Sequence, residues 1–241
     1  MEIWYHGHSC IQLIDGEHAL IIDPFISGNE LAVTKPEDVQ VDAVLLTHAH
    51  MDHILDAVPI AKANQAPIVA TFELANYMSW KGADTKPMNI GGSMDLGFAT
   101  VQMVQAFHSS AIVDEETQQI IYAGMPGGFI VHWNGKTIYH AGDTALFSDM
   151  KLIGEQNEID VAFIPIGDVF TMGPDEAVIA AEWIGAKKVI PIHYNTFPPI
   201  QQDPHHFAER IREVALTGTD SSTISHKMTS HVLAPGDRLE C

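Results

Sequence analysis

The feature that most constrains this chain is a junction. The stretch Val41–Leu46 is rich in Val and Leu, as a buried strand is, and it runs directly into Thr47-His48-Ala49-His50-Met51-Asp52-His53. Three imidazoles and a carboxylate within six positions form a donor set for borderline divalent ions such as zinc, manganese, iron or nickel. Alternating residues in a loop past a strand end point two ways. His48 and His50 can then serve one ion, and Asp52 and His53 a second. Asp52 alone has a plainer reading as the cap of a helix beginning at Ile54. Four donors in this order favour metal.

The rest of the chain repeats the pattern of apolar run, turn and polar residue, often followed by a helical stretch. Ile3–Ile14 reads as a hairpin arm, and Ala19–Ile22 as a strand ending at Asp23-Pro24. Ile54–Ala63 reads as a helix blemished by Pro59, Ile68–Ala70 as a short strand, and Phe72–Trp80 as a helix stopped by Gly82. Ala99–Ala106 and Gly127–Trp133 read as strands. Asn134-Gly135 then predicts a tight hairpin into Lys136–Tyr139. Val161–Ile166 and Lys188–Ile192 read as strands, and Pro174–Ile184 as a helix with proline in its first turn. A last helix lies near Phe207–Ala215, and Ser230–Glu240 reads as a closing hairpin around Pro235-Gly236. This order predicts a layered α/β fold with mixed sheets inside and helices outside. With 241 residues and no linker, it predicts one domain spanning 1–241.

Composition narrows the partners. Twelve Lys and Arg against 31 Asp and Glu give a formal charge of -19, which opposes sequence-independent binding to a nucleic-acid backbone. A small phosphate ester is still allowed, because metals act locally. No apolar run reaches the ~18–20 residues of a membrane span, and the first residues lack the pattern of a signal peptide. Two cysteines, Cys10 and Cys241, make neither a disulfide framework nor a Cys-rich metal site. The expected setting is cytoplasmic. The expected partner is a small, anionic substrate rather than nucleic acid or membrane, and self-association into a homo-oligomer is left open.

Further donors obey one topological rule. His108 ends Val101–Phe107, Asp143 follows Thr137–His140, and His193 ends Val189–Ile192. All lie just beyond the carboxyl ends of strands, where α/β sheets place their sites. Asp168 ends Val161–Ile166 by the same rule. Asp23 is a candidate acceptor for the free ring nitrogens of ligand histidines, or else simply a turn residue. His8, in Gly7-His8-Ser9, reads by itself as a surface turn residue. His6, His18, His132, His140, His205, His206, His226 and His231 read as non-ligands.

Taken together, His48-x-His50-x-Asp52-His53, His108, Asp143 and His193 resemble the metal signature of the metallo-β-lactamase superfamily. Within it the chain is similar to a bacterial group of metal-dependent hydrolases related to ascorbate-phosphate lactonases. The local matches are Gly7-His8-Ser9, Phe107-His108-Ser109-Ser110, Tyr139-His140-Ala141-Gly142-Asp143-Thr144, Pro165-Ile166-Gly167-Asp168, Phe170-Thr171-Met172-Gly173-Pro174 and Pro191-Ile192-His193-Tyr194-Asn195-Thr196. Val169 stands where the group would carry a polar residue, often asparagine.

The resemblance implies a four-layer αβ/βα sandwich, with two mixed β-sheets inside, helices outside and a dinuclear site at one edge. It puts His48, His50 and His108 on the first of two divalent ions, Asp52, His53 and His193 on the second, and Asp143 between them. It also implies that a shared water is activated to cleave a small ester, a phosphodiester or a lactone. Asp52 would accept a proton, while His8 and Asp168 would line the site as catalytic groups. The alternatives are a flavodiiron-like redox protein, disfavoured because His50 stands where such proteins carry Glu, and a non-catalytic metal-binding protein of the same fold.

Overall fold

A computed structural model of the protein describes residues 1–217 and 228–241; His226 lies outside them. The first half opens as an antiparallel hairpin, β1 (Glu2–Gly7) and β2 (Cys10–Asp15), then β3 (His18–Ile22). Three parallel strands follow, β4 (Ala43–Leu45), β5 (Ile68–Thr71) and β6 (Thr85–Met88). Strand β4 is shorter than the sequence suggests, and just before it the Asp42 carboxylate accepts a hydrogen bond from the Ala19 amide. The helical stretch after the histidine motif is two helices, α1 (Met51–Ile54) and α2 (Ala57–Asn64). Pro59 is harmless because it lies in the first turn of α2, where an amide would have no intrahelical partner. Helix α1 begins at Met51, so Asp52 sits inside its first turn and does not cap it. Helix α3 spans Phe72–Trp80.

The second half contains β7 (Ser93–Asp95), β8 (Thr100–Gln105), and a small separate hairpin of β9 (Ala111–Asp114) and β10 (Gln119–Tyr122). Next come β11 (Gly127–Trp133) and β12 (Lys136–His140), joined by Asn134 and Gly135, both at positive φ as a two-residue hairpin requires. Helix α4 (Met150–Gln156), β13 (Val161–Pro165), α5 (Pro174–Ile184), β14 (Lys188–Ile192) and α6 (Pro204–Thr217) follow. Strands β15 (Thr229–Ser230) and β16 (Arg238–Glu240) end the chain. These last two do not pair with each other. β15 joins β14 and β16 joins β1, so the tail expected to be a hairpin instead ties the two large sheets together. None of the described helices is long and apolar enough to cross a membrane.

Among the described residues each large sheet has seven strands, in the orders β16-β1-β2-β3-β4-β5-β6 and β15-β14-β13-β12-β11-β8-β7. Both faces of each are covered, and alternation along single strands shows it. In β3 and β4, Ile21 and Val44 pack with α2 and α3 residues such as Ile60 and Leu74. Their neighbours Leu20, Ile22, Ala43 and Leu45 pack across to Phe129, Phe163 and Ile190 of the second sheet. In β13, Ala162 and Ile164 face Ala177 and Ala181 of α5. Three apolar layers therefore separate helices, sheet, sheet and helices, which makes a mixed α/β sandwich.

The strand directions place the site. β1, β3 and β4 run one way in the first sheet, and β8, β12, β13 and β14 run together in the second. Their carboxyl ends gather at one edge. Phe163 is fully buried between the sheets. Phe163→Ala should cost about 3–5 kcal/mol of unfolding free energy in denaturant titrations. A loss below about 1 kcal/mol would contradict a close-packed layer there.

Candidate metal centre

His48 and His50 leave the end of β4, and Asp52 and His53 follow on α1. His108 lies three residues past β8, Asp143 three past β12, and His193 directly after β14. The structure brings all seven together. Nε2 of His48 and Nε2 of His108 lie 3.0 and 3.2 Å from Nδ1 of His50. A tetrahedral ion with bonds of ~2.0–2.1 Å holds its nitrogen ligands about 3.3–3.4 Å apart, so both separations are close to those of such a site. The second group is Asp52, His53 and His193, with Oδ2 of Asp52 3.8 Å from Nε2 of His193 and 4.0 Å from Nε2 of His53. Oδ2 of Asp143 stands between the groups. It is 3.0 Å from His193, 3.3 Å from His53, 3.6 Å from His108 and 3.8 Å from His48.

The surrounding hydrogen bonds turn ring nitrogens toward the centre. Asp23 accepts from the amide and the hydroxyl of Thr47, at 2.8 and 2.6 Å, and from Nδ1–H of His53 at 2.8 Å. The Thr47 oxygen, its own proton given to Asp23, accepts from Nδ1–H of His48 at 3.0 Å. In both histidines Nε2 is thereby the nitrogen aimed into the site. Oγ of Ser109 lies 3.3 Å from Nε2 of His50, the nitrogen that faces away. His8 lies in the β1–β2 turn. Its Nε2 is 3.1 Å from Oδ2 of Asp52, and its Nδ1 is 3.0 Å from Oγ1 of Thr196.

Burial, then the neighbouring His193, pushes the His8 pKa down to about 4, so the ring is neutral. A carboxylate only accepts, so Nε2 of His8 carries the proton and Nδ1 accepts from Thr196. Burial also drives down the pKa values of His48 and His108, the latter to about 4. On His53 and His193 burial opposes charge but is outweighed by carboxylates, Asp143 foremost. The His53 pKa rises well above the ordinary value and that of His193 to about 9. Asp143 and Asp52 resist burial in the same way and are held well below the carboxylate range by His193, His53 and, for Asp52, His8.

The donors fit divalent ions. Nε2 of His53 and Oδ1 of Asp143 are buried without a hydrogen-bond partner, a costly arrangement unless something else satisfies them. Nδ1 of His193 is likewise unpartnered, and a side chain at Gly167 would strike the His193 carbonyl at 2.3 Å, so only glycine lets the β13 loop come this close.

Other placements refine the sequence reading or differ from it. Asp168 is exposed at φ 66°, and its carboxylate is outside the lining of the pocket over the centre; Val169 and Phe170 line it instead. The strand-end rule points to the correct edge, but the turn after Gly167 directs Asp168 away. Asp23 is an acceptor, as the first of its two readings has it, for His53 directly and for His48 through Thr47. His140 is buried with both nitrogens engaged, on the Ser9 carbonyl and the Gly142 amide, and so supports the Asp143 loop without facing the centre. His8 is buried rather than a surface turn residue. Thr47, Ser109 and Phe197 escape sequence reasoning; only their positions next to or near ligands mark them.

Comparison with known proteins identifies the family. Residues 18–194, which include all seven donors, match the β-lactamase superfamily domain. A UPF0173 metal-dependent hydrolase of Bacillus pumilus is 52% identical over 240 residues, covering 100% of both chains. One from Anoxybacillus flavithermus is 58% identical over 89% of this chain and 95% of its own. Among solved structures, a metallo hydrolase of the archaeon Ignicoccus hospitalis superposes with a TM-score of 0.85 at 33% identity, covering 99% of this chain and 97% of its own. An isothiocyanate hydrolase from Delia radicum gut bacteria shares the fold at 18% identity, with a TM-score of 0.71 and coverage of 100% and 99%. The chain therefore belongs to the metallo-β-lactamase superfamily and is one of its metal-dependent hydrolases.

Proposed function

We propose that this hydrolase holds two divalent ions, drawn from zinc, manganese, iron and nickel, and cleaves a small ester-type substrate, a phosphodiester or a lactone. The observation that carries the reading is the position of Asp143 Oδ2, 3.0–3.8 Å from two separate groups of ring nitrogens. His48, His50 and His108 would hold one ion, and Asp52, His53 and His193 the other, with Asp143 shared. When bound, such a pair lowers the pKa of a water between the ions and offsets charge developing on the substrate.

The chain's own groups supply the rest. Asp52 is half-exposed at the pocket while Asp143 is buried, so Asp52 is the carboxylate with access to an incoming water and is assigned as proton acceptor. The Nε2–H of His8 fixes the orientation of Oδ2 of Asp52, and Thr196 fixes the tautomer of His8. Asp168, exposed and outside the pocket lining, receives no catalytic role.

Reconstituted protein should carry two metal equivalents by elemental analysis. Asp143→Asn loses a charge and a bridging arm; it should hold at most one equivalent and lower kcat/KM by at least about a hundredfold, with its circular dichroism unchanged. Two equivalents and full turnover in that variant would refute the bridging role.

The metal-free centre stores protons on His53 and His193, whose pKa values are raised. Ligation needs neutral imidazole, so loading at pH 7 should release protons, and apparent affinity should fall as pH drops below about 9. Calorimetry in buffers of different ionisation enthalpy reads this release directly; a proton count of zero would contradict the assignment.

For substrate, kcat/KM should favour a small phosphodiester or a lactone over single-stranded DNA, because a polymer meets the -19 surface at every phosphate. DNA emerging as the best substrate at low salt, and worsening as salt is added, would overturn the small-ester reading.

A further inference from the structure

The pocket over the centre has a volume of about 470 Å3 and two unlike sides. One side is the donor set: His50, Asp52, His108, Asp143 and His193, with Ser109. The other is Val169, Phe170 and Phe197. No lysine or arginine lines it among the described residues. A site that gripped an anionic tail would present a cation away from the metals, as a guanidinium or ammonium pairs with carboxylate or phosphate. This one presents hydrocarbon and two carboxylates.

Packing does not explain the apolar side. Val169 is 66% and Phe170 54% exposed. They sit at the tip of a turn closed at its base by the Asp168 amide on the Met172 carbonyl and by the Thr171 amide on the Asp168 carbonyl. Met172 is fully buried, and its amide donates 2.9 Å to the carbonyl of Thr144, the residue after Asp143. The base of the turn is thus fastened beside the centre while its two large apolar side chains stand in the open. Phe197 rests against the His8 ring at 5.5 Å and the Phe25 ring at 6.0 Å, so it is backed as well. Two apolar side chains held rigidly in water cost free energy that contact with an apolar ligand group would recover.

We infer that Val169, Phe170 and Phe197 form a binding wall for an uncharged, apolar group of the substrate, so that the ester cleaved carries a hydrocarbon or aromatic substituent and any anionic character is confined to the reacting group. This rests on the hydrolase reading and deepens it. Val169 and Phe170 are then specificity-determining residues.

The test pairs turnover with binding. Turnover is measured on metal-loaded protein with 4-nitrophenyl acetate, butyrate and hexanoate, with 4-nitrophenyl methyl and phenyl phosphodiesters, and with a 4-nitrophenyl hemisuccinate whose tail ends in carboxylate. Binding is measured by calorimetry with aceto-, butyro- and hexanohydroxamate, which needs no turnover. Each methylene that reaches the wall should raise kcat/KM, or hydroxamate affinity, about three- to fourfold, the worth of burying one CH2. The phenyl diester should exceed the methyl one, and the hemisuccinate should fall below the butyrate. Val169→Asn and Phe170→Ser should flatten the length dependence; metal content and melting temperature, measured alongside, establish that each variant is folded and loaded.

If esters are cleaved without length dependence, or the hemisuccinate is preferred, the wall is refuted and the hydrolase reading stands. If no ester is cleaved but hydroxamate affinity still climbs with chain length and flattens in the variants, the wall stands and the choice of ester fails. Hydroxamate affinity independent of length, or a length dependence unchanged in both variants, overturns the inference outright.

Discussion

The carboxylate of Asp23 is the interaction on which the centre depends. It sits at the end of β3, its own amide bonded to the Leu45 carbonyl, and it touches none of the pocket. Yet it accepts directly from His53 and, through Thr47, governs His48. One buried charge thereby sets the tautomer of one histidine in each group of donors. A neutral imidazole ligates through its bare nitrogen only, so without an acceptor behind the ring the bare nitrogen could be either one. Three accepted hydrogen bonds also offset the cost of burying Asp23, which an unpartnered carboxylate in that position could not bear. The positive φ of Asp23, 49°, belongs to the same arrangement, since it turns the chain sharply from strand into loop while the side chain stays under the motif.

Strand polarity makes such a cluster possible. Seven donors from four segments can converge because the carboxyl ends of parallel strands meet at one edge, where loops leave the sheet and side chains are free to point outward. Close backbone approach then completes it. Gly142 stands where a side chain would meet the Gly127 carbonyl at 2.7 Å, and this lets the Asp143 loop lie against the loop carrying Thr47, whose carbonyl accepts from the Gly127 amide.

The legible parts of the sequence were those with a strong local cause. Helix Pro174–Ile184 shows a proline start and a glycine stop, and Asn134-Gly135 shows its turn type. The strand-end donors announce themselves because a histidine or aspartate directly after an apolar run has few structural uses. Strands β6, β7, β9 and β10 were not legible, because Thr85-Lys86-Pro87-Met88 and its like are short, partly exposed and without alternation. The break between α1 and α2 was hidden too. Its cause is Asp56, which accepts from the amides of Ile26 and Ser27 and from the Ser27 hydroxyl, a contact across 30 positions. The tail failed for a related reason: Pro235-Gly236 signals a turn but says nothing of which sheet each arm joins. The apolar pocket wall carries no periodicity at all, since Val169, Phe170 and Phe197 lie in loops.

The terminal segment bears on the centre. The Gly236 amide donates to the Tyr5 carbonyl and the Tyr5 amide to the Asp237 carbonyl, so the chain end clamps β1. The Tyr5 hydroxyl then donates to the His8 carbonyl, and the same carbonyl accepts from the His193 amide. A path of hydrogen bonds thus runs from the terminal segment through the first sheet to a donor at the end of the second. The second group of donors draws Asp52 and His53 from the first sheet's side and His193 from the other, so its spacing is set by how the sheets sit against each other. The layer that fixes this is apolar and close-packed, from Ile3 and Leu20 to Phe163 and Ile192. Such interiors transmit displacement rather than absorb it. The geometry of the centre is for that reason a property of the whole sandwich, although every donor lies at its edge.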